Sequence, residues 1–297
     1  MINKEDILAD LHTHTLFSKH AYSTVKENIE AARNKGLSYI AITDHYFGNG
    51  DELDKKNEVN RIKYIEERVN KTSDVAVIGS AEFNLGQEIY TPQKLQSLKW
   101  KPIGLHNWFI DTKNLKFQDL FLLFKDAAEN GFTSFVHIER ELQKLLYGNY
   151  SQLEMIGFLY KIVDLAREKD IWLEVNESSL VVNECGGAER LENWLIYARD
   201  MGNKIYLGTD AHYCEEVGDF ENTIKLLNKV NYPKELILNC SELPPLSPTC
   251  LKWGLLIEFP LKANPAVPAV FSFIFFCFYI FIAAIFSPSC NILIAAL

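Results

Sequence analysis

The stretch Asp10-Leu11-His12-Thr13-His14 follows the short apolar run Ile7-Leu8-Ala9, which is typical of a buried strand. Successive side chains of a strand point to opposite faces, so Asp10, His12 and His14 share one face. Two imidazoles about 6.6 Å apart along a strand can converge on one divalent metal ion, and a carboxylate one step back can orient a ring. The alternative is that these polar side chains simply leave a strand for solvent, because an isolated His-x-His pair is a weak signal.

The composition limits the partners and the compartment. The chain has 297 residues with a formal net charge of −9, and its pI is near 5.4. An acidic chain does not favour broad electrostatic binding of nucleic acid, so we expect no nucleic-acid partner. The six cysteines form no C-x-x-C pair, and the polar N-terminus resembles no secretory signal. These features predict free thiols in a cytoplasmic protein.

Apolar runs alternate with amphipathic helical stretches about seven times over residues 1–240. After the first strand, we predict strands at 37–42, 75–81, 100–105, 132–136, 171–175 and 204–209, with one more short strand at 236–238. This alternation predicts an α/β fold with a parallel sheet. Polar residues follow nearly every predicted strand. A closed barrel would gather them around one mouth, whereas an open sheet would gather them near one switch point only.

The histidines carry the strongest functional signal. All seven lie at or just after the end of a predicted strand, whereas histidines with structural roles would also occur within helices. Together with two acidic residues at strand ends they give nine candidate metal ligands: His12, His14, His20, His45, Glu82, His106, His137, Asp210 and His212. One four-coordinate site takes three or four protein ligands, so nine imply two or three divalent ions, with a carboxylate bridging one pair.

A histidine-rich ligand set favours zinc, manganese or iron over magnesium or calcium, which prefer oxygen ligands. Several such ions in one site activate water and hold both the attacking and the leaving oxygen during displacement at phosphorus. The ligand set therefore predicts a hydrolase that acts on phosphate esters.

Several motifs resemble those of the polymerase and histidinol phosphatase (PHP) superfamily. They are Asp-Leu-His-Thr-His-Thr at 10–15, Ile-Thr-Asp-His at 42–45, the single residues Glu82, His106 and His137, and Gly-Thr-Asp-Ala-His at 208–212. Segments 20–24 and 174–179 are similar to the small stand-alone YcdX-type phosphatases. The resemblance covers residues 10–239, and it implies a distorted seven-stranded (β/α)7 TIM-like barrel with a trinuclear metal centre.

The resemblance also implies how the ligands are shared among the ions. The first ion would be held by His12, His14, Glu82 and Asp210, the second by Glu82, His106 and His137, and the third by His20, His45 and His212. Catalysis is expected to depend on His12, His14, Glu82, His106 and Asp210. Since all nine positions are filled, we expect an active enzyme.

The leading hypothesis is a metal-dependent phosphomonoesterase that acts on a small phosphorylated substrate, with a histidinol-phosphatase-like activity as one version. A nuclease or phosphodiesterase of the same superfamily is an alternative, although the acidic charge and the lack of a polymerase module count against it. A non-catalytic metal-binding module is a third hypothesis, and the complete ligand set counts against it.

Three further residues are candidates for supporting roles. The sequence reads His137-Ile-Glu-Arg-Glu where related phosphatases usually have Pro-Gly after the histidine, and we interpret this as a loop at the mouth. Arg140 in that loop could bind a substrate phosphate through two hydrogen bonds. The alternative is a surface ion pair with a neighbouring glutamate. Asp10 and Asp44 are candidates for orienting the ligand histidines from behind.

The C-terminal part differs in composition from the rest. We predict a domain over residues 1–240, followed by a Pro-rich linker and an apolar tail over 241–297. No charged residue occurs in 263–297, and 270–286 is almost wholly apolar. The tail could be a membrane anchor, since this length approaches the ~20 residues that span a bilayer. It could equally be a stretch foreign to the folded domain, such as an aberrant reading frame. Contact with a membrane is expected only if the tail inserts.

Overall fold

The computed structural model describes residues 1–47, 52–86, 98–106, 116–146, 150–181 and 187–243. Strands alternate with helices along these residues. The strands, numbered in chain order, are β1 Ala9–Thr13, β2 Tyr39–Ile42, β3 Ala76–Gly79, β4 Phe83–Asn84, β5 Pro102–Gly104, β6 Ser134–Val136, β7 Trp172–Asn176 and β8 Ile205–Gly208.

The helices begin where the sequence provides capping side chains. At the starts of the helices Val25–Asn34 and Gln152–Glu168, Thr24 and Ser151 accept hydrogen bonds from the backbone N–H three residues further on. Glu27 and Glu154 accept the reciprocal bonds. The helices are α1 Val25–Asn34, α2 Glu52–Tyr64, α3 Phe117–Glu129, α4 Ile138–Leu146, α5 Gln152–Glu168, α6 Glu177–Val181, α7 Gly187–Met201 and α8 Glu221–Lys229. A π-helical turn, Ile65–Val69, extends α2.

The strands form two sheets, in the orders β1-β2-β3 and β4-β5-β6-β7-β8. Every pair of neighbouring strands is parallel. Parallel neighbours need a crossover connection, which the intervening helices supply. The α/β class with parallel sheets, predicted from the alternation of apolar and amphipathic stretches, is confirmed.

The two sheets approach each other at two places. Only residues 80–82 separate β3 from β4, and a β-bridge joins His45 to Glu82 there. On the other side of β1, the His14 N–H donates to the Ala211 carbonyl at 2.9 Å, and the Asp210 N–H donates to the His12 carbonyl at 2.8 Å. The ends of β1 and β8 are therefore held side by side, with the carboxyl ends of the strands directed to one edge.

The strands are apolar on both faces because helices cover one face and side chains fill the other. On the helix-covered face, Phe135 and Leu173 pack in a cluster with Phe124 of α3 and Leu159 of α5. On the opposite face, Trp100 lies in a second cluster with Leu11, Val136 and Tyr206. Burying each such side chain contributes about 1.5–3 kcal/mol.

Two predictions of local structure were wrong. Residues 236–238 contribute only a single parallel β-bridge, between Ile237 and Ile205 of β8, because the 3-10 helices Lys234–Leu236 and Leu238–Cys240 occupy the residues on either side. The Asn239 side chain instead bonds both strand edges, accepting from Leu207 N–H at 2.7 Å and donating to the carbonyls of Ala9 and Leu207.

The second wrong prediction concerns the segment after His137, which is the helix α4 and not a loop. Glu139 and Glu141 lie in its first turn, where acidic side chains interact favourably with the helix dipole.

Residues 244–297, and with them most of the predicted linker and tail, lie outside the described residues. The membrane anchor therefore stays a prediction. Within the described part of the chain, none of the helices combines the length and the apolar composition that crossing a bilayer requires.

Candidate metal centre

The structure brings all nine predicted ligands together at the carboxyl ends of the strands. Each side chain comes from the last residues of a strand or from the segment just after it, as expected when parallel strands end at one edge. The donor atoms of eight of them, all except His20, form four overlapping groups, within each of which the atoms lie within 4.8 Å of one another. The groups are His12–Glu82–His137, His12–His14–Asp210, His45–Glu82–His106 and His14–His45–His212.

Glu82 lies at the centre of the cluster and is fully buried. Its Oε1 is 2.7 Å from His137 Nε2 and 3.2 Å from His106 Nε2. Its Oε2 is 2.9 Å from His45 Nδ1 and 3.5 Å from His12 Nε2. The two oxygens thus face different histidines, which is the arrangement of a carboxylate that bridges two ions.

Asp210 closes the side of the cluster next to β1. Its Oδ1 is 3.1 Å from His14 Nε2 and 3.6 Å from His12 Nε2. Its backbone has a positive φ of 58°, and His137 also has a positive φ, of 28°. L-residues rarely adopt such conformations, and backbone strain of this kind is concentrated at functional sites.

The outer part of the cluster is open to solvent. His20 Nε2 lies 2.8 Å from His212 Nε2 and 3.3 Å from His45 Nε2. The side chain of His212 is 27% exposed, whereas that of His45 is 6% exposed. The cluster therefore has a buried end around Glu82 and an accessible end at His20 and His212.

Hydrogen bonds on the far side of the rings assign their tautomers. His12 Nδ1 lies 2.6 Å from the Glu174 carboxylate, which can only accept, so His12 carries its proton on Nδ1. Ser18 Oγ donates to Asp44 and lies 2.9 Å from His14 Nδ1, so His14 also carries its proton on Nδ1.

The Nε2 atoms of His12 and His14 then face each other at 3.0 Å. Two lone pairs would repel at this distance, so a cation, either a proton or a metal ion, lies between them. A tetrahedral zinc site with Zn–N bonds of about 2.1 Å holds its donor atoms about 3.4 Å apart, close to the observed spacing. His212 repeats the pattern, because its Nδ1 donates to the Asp210 carbonyl at 2.8 Å while its Nε2 faces His20. The residues present therefore fit divalent ions.

The pKa shifts of the site residues also agree with binding of divalent ions. Burial acts to raise the pKa of Glu82, but His106 and the other surrounding histidines hold it well below its usual range. Burial also opposes ionisation of Asp210, and the Arg140 guanidinium keeps that pKa well below its usual range. Burial lowers the pKa of His14 well below its usual value. Ionised carboxylates and neutral imidazoles are the forms that bind metal ions.

His12 shows where positive charge is most favourable. Burial acts to lower its pKa, but Glu174, Glu82 and Asp210 together hold the pKa well above its usual value. Three carboxylates around one ring favour a cation there, and a bound metal ion would replace the proton in that role.

The three predicted supporting residues occupy different places. Asp44 is buried and contacts Ser18, which in turn contacts His14, so it supports a ligand through one intermediate side chain. Asp10 is buried too, but its carboxylate accepts from Thr209 Oγ1 at 2.6 Å and from Gly218 N–H at 2.9 Å. It thus fixes the backbone next to Asp210 and orients no histidine ring in the contacts described.

Arg140 is not in a surface ion pair. Its Nη1 donates to Asp210 Oδ2 at 2.8 Å and its Nε donates to Glu141 Oε1 at 3.3 Å. Glu141 and Glu139 are both buried, and the Arg140 side chain is 19% exposed. The guanidinium therefore lies at the cluster itself, beside one of the candidate ligands.

Sequence reasoning missed Glu174 and Ser18 as members of the site. Glu174 was visible as the one charged residue in the strand Trp172–Asn176, and it is 2% exposed. A buried carboxylate needs partners, so its position in an apolar strand was a usable signal. Ser18 offered no comparable signal, because a serine in a polar loop is common.

The comparisons with known proteins agree with this architecture. A family model described as the PHP domain matches residues 10–244. A probable phosphatase from Caldanaerobacter subterraneus subsp. tengcongensis is 27% identical over 256 residues, which are 79% of this chain and 88% of that protein. A probable phosphatase from Clostridium acetobutylicum is 28% identical over 250 residues, with 79% and 91% covered.

A solved structure has a similar fold. It is the histidinol phosphate phosphatase of Lactococcus lactis subsp. lactis, complexed with zinc, L-histidinol and phosphate. The match has 18% sequence identity and a TM-score of 0.52, and it covers 76% of this chain and 94% of that one.

Proposed function

This chain belongs to the PHP domain family, and we propose that it is a metal-dependent phosphatase that hydrolyses small phosphomonoesters. The observation that carries the proposal is the pair of imidazole Nε2 atoms, of His12 and His14, facing each other beside the buried Glu82 and Asp210. The names of the relatives in both comparisons support phosphate esters as the substrate class. A histidinol-phosphatase-like specificity is the finer version of the proposal.

We propose two or three divalent ions, zinc or manganese, with iron as a further candidate. His12, His14, Glu82 and Asp210 would hold the first, Glu82, His106 and His137 the second, and His20, His45 and His212 the third. When bound, such ions activate water for attack on phosphorus and neutralise the charge on the phosphoryl oxygens. The group His12–His14–Asp210 belongs to the first set, and His20 lies next to His45 and His212 of the third, whereas each of the other three groups joins two sets.

Arg140 is proposed to contact the substrate phosphate. A guanidinium has five N–H donors, and in the described contacts Asp210 and Glu141 use two of them. Donors are therefore left for a phosphate oxygen beside the ions. The Asp210 contact would hold the guanidinium in place before the substrate arrives.

We propose that β3 and β4 are two halves of one bent strand in a seven-stranded barrel. The bridge between His45 and Glu82 and the hydrogen bonds that join β1 to the residues after β8 support this closure. Barrel closure would explain why the ligands of both sheets meet at one mouth. The domain boundary near residue 240 is part of the same proposal.

The test is an assay of the full chain loaded with manganese or zinc against three substrates: a phosphomonoester, a phosphate bis-ester and a single-stranded oligonucleotide. We expect turnover of the phosphomonoester. Preferential cleavage of the bis-ester or oligonucleotide would favour the nuclease alternative. Bound metal without activity on any of the three would favour a non-catalytic metal-binding module.

His106→Ala tests the catalytic role of the ions. Losing a supporting partner of a ligand costs roughly 10–100-fold in activity or metal affinity, and losing a ligand itself should cost more. We expect phosphomonoester turnover to fall beyond that range, with metal content measured in parallel. An unchanged rate would refute the role of the second ion.

A further inference from the structure

Ser18 bonds to two of the candidate ligands and to one buried carboxylate. Its hydroxyl donates to Asp44 Oδ1 at 2.7 Å, accepts from the His45 backbone N–H at 3.2 Å, and lies 2.9 Å from His14 Nδ1. A hydroxyl has one proton and two lone pairs. Since the proton goes to Asp44 and one lone pair goes to His45, the second lone pair accepts the proton of His14 Nδ1.

Asp44 fixes the loop that carries His20. Besides Ser18, its carboxylate accepts from Thr15 N–H at 2.6 Å and from Thr15 Oγ1 at 2.8 Å. These bonds hold both ends of the short 3-10 helix Leu16–Ser18, and His20 follows two residues later. One carboxylate thereby sets the positions of residues on both sides of the loop.

Arg61 of α2 forms an ion pair with Asp44 in the interior. Its Nη1 lies 2.7 Å from Asp44 Oδ2, and the two side chains are 10% and 0% exposed. Among the described residues, Arg61 Nε and Nη2 have no hydrogen-bond partner, and the guanidinium lies over the Phe17 ring, with its Cζ 5.3 Å from the ring centroid. The ion pair therefore ties α2 to the segment 15–18 that Asp44 holds.

We propose that Ser18, held by the Asp44–Arg61 ion pair, is a positioning residue for His14, His20 and His45. It fixes the tautomer of His14, the backbone of His45 and the loop of His20, which are ligands of the first and third ions proposed above. The second ion has separate support, because Glu174 accepts from the backbone N–H of its ligand His137. The inference rests on the metal centre of the proposed function.

The prediction is a selective loss of metal. Removing the Ser18 hydroxyl leaves His14 Nδ1–H without its acceptor and frees the His20 loop from one of its bonds. The first and third ions, whose ligands include His14, His20 and His45, should then bind about 10–100-fold more weakly, as when a hydrogen-bond partner of a metal ligand is lost. The second ion, held by Glu82, His106 and His137, should keep its affinity, because Ser18 bonds none of these three in the described contacts.

The experiment is a zinc titration of the full chain in wild-type form and as Ser18→Ala, with zinc per chain counted at each free zinc concentration. Thr223→Val is the matched control, because Thr223 Oγ1 also donates to a buried carboxylate, that of Glu177, at 2.7 Å. We expect Ser18→Ala to hold fewer zinc ions than wild type at limiting zinc. The control should follow the wild-type curve. Identical curves for Ser18→Ala and the control would overturn the inference.

The ring nitrogens of His14 give a second measurement. Nitrogen NMR of the zinc-loaded chain should show the Nδ1–H tautomer of His14 in wild type and a changed Nδ1 signal in Ser18→Ala. An Nε2–H tautomer in wild type would overturn the inference. A wild-type chain that binds zinc but hydrolyses no phosphate ester would refute the proposed activity and leave the role of Ser18 standing.

Discussion

At the scale of single residues, Glu174 offers the sharpest test of the buried end of the metal centre. Its Oε1 accepts from His12 Nδ1 at 2.6 Å and its Oε2 accepts from His137 N–H at 2.8 Å. A glutamine has only one accepting oxygen, so Glu174→Gln would turn an N–H group towards one of these donors. We expect metal affinity to fall by roughly 10–100-fold in a zinc titration, with the fold retained.

Glu177→Gln is the control for this exchange. Glu177 is buried, and each of its carboxylate oxygens accepts two hydrogen bonds. Oε1 accepts from Asn222 and Oε2 from Thr223, both at the start of α8. It should lose stability but keep wild-type metal affinity. Equal affinities for Glu174→Gln and wild type would show that His12 needs no such partner.

The nine candidate ligands could be selected from the sequence because each is a polar residue at or just after the end of a predicted apolar strand. The side chains that hydrogen-bond to these candidate ligands were harder to predict, because they lie far from the ligands along the chain. Glu174 is 162 residues from His12. The partners of Asp10 were equally hard to predict. Strand alternation placed it on the ligand face, but its actual partners, Thr209 and Gly218, depend on which segment lies beside β1.

At the scale of elements, the backbone of β8 lies so close to β1 and β7 that position 208 has no room for a side chain. A Cβ on Gly208 would lie 2.5 Å from His12 Cβ and would overlap Glu174 Oε1. Gly208→Ala should therefore displace the Glu174–His12 pair. We expect a loss of about 1–3 kcal/mol in the free energy of unfolding, as for other overpacked sites, together with weaker zinc binding.

Gly157→Ala is the matched control. Gly157 lies within α5, and a Cβ there would meet no atom within 4 Å. Alanine is favoured over glycine inside a helix by about 1 kcal/mol, so this variant should be slightly more stable and bind zinc normally. Unfolding curves that are the same for Gly208→Ala and wild type would contradict the close approach of β8.

Helices and strands were predictable where a periodic pattern extended over a whole element, as in α1 and α5. Prediction failed for short segments whose structure is set by tertiary contacts. The apolar residues 236–238 fit a strand equally well by pattern. In the structure only Ile237 pairs with β8, through a bridge to Ile205, and the Asn239 side chain bonds Leu207 and Ala9.

At the scale of the whole molecule, the parallel α/β class followed from the order of elements alone. Closure into a barrel, which the polar strand ends favoured, stays a proposal, because it depends on a few contacts between residues far apart, such as those between His14 and Ala211. The candidate metal ligands are also far apart along the chain. They come from β1 and the segment after it, from the segments after β2, β3, β5 and β6, and from the segment after β8, so both sheets contribute.

Removing the ions should therefore weaken the fold as a whole. A ligand that binds only the folded state adds about 4 kcal/mol when its free concentration is 1,000 times its Kd. For a domain of 150–250 residues, each kcal/mol changes Tm by about 2–4 °C. We expect a chelator to lower the Tm of the full chain by roughly 8–16 °C.

Zinc or manganese added after chelation should restore the Tm, whereas calcium at the same concentration should not, because it prefers oxygen ligands. Recovery with calcium would indicate an oxygen-rich site and would contradict the role of the histidines. An unchanged Tm after complete removal of metal would mean that the cluster is held by the protein alone. In that case a proton on His12, shared with His14 Nε2, would take the place of the metal ion.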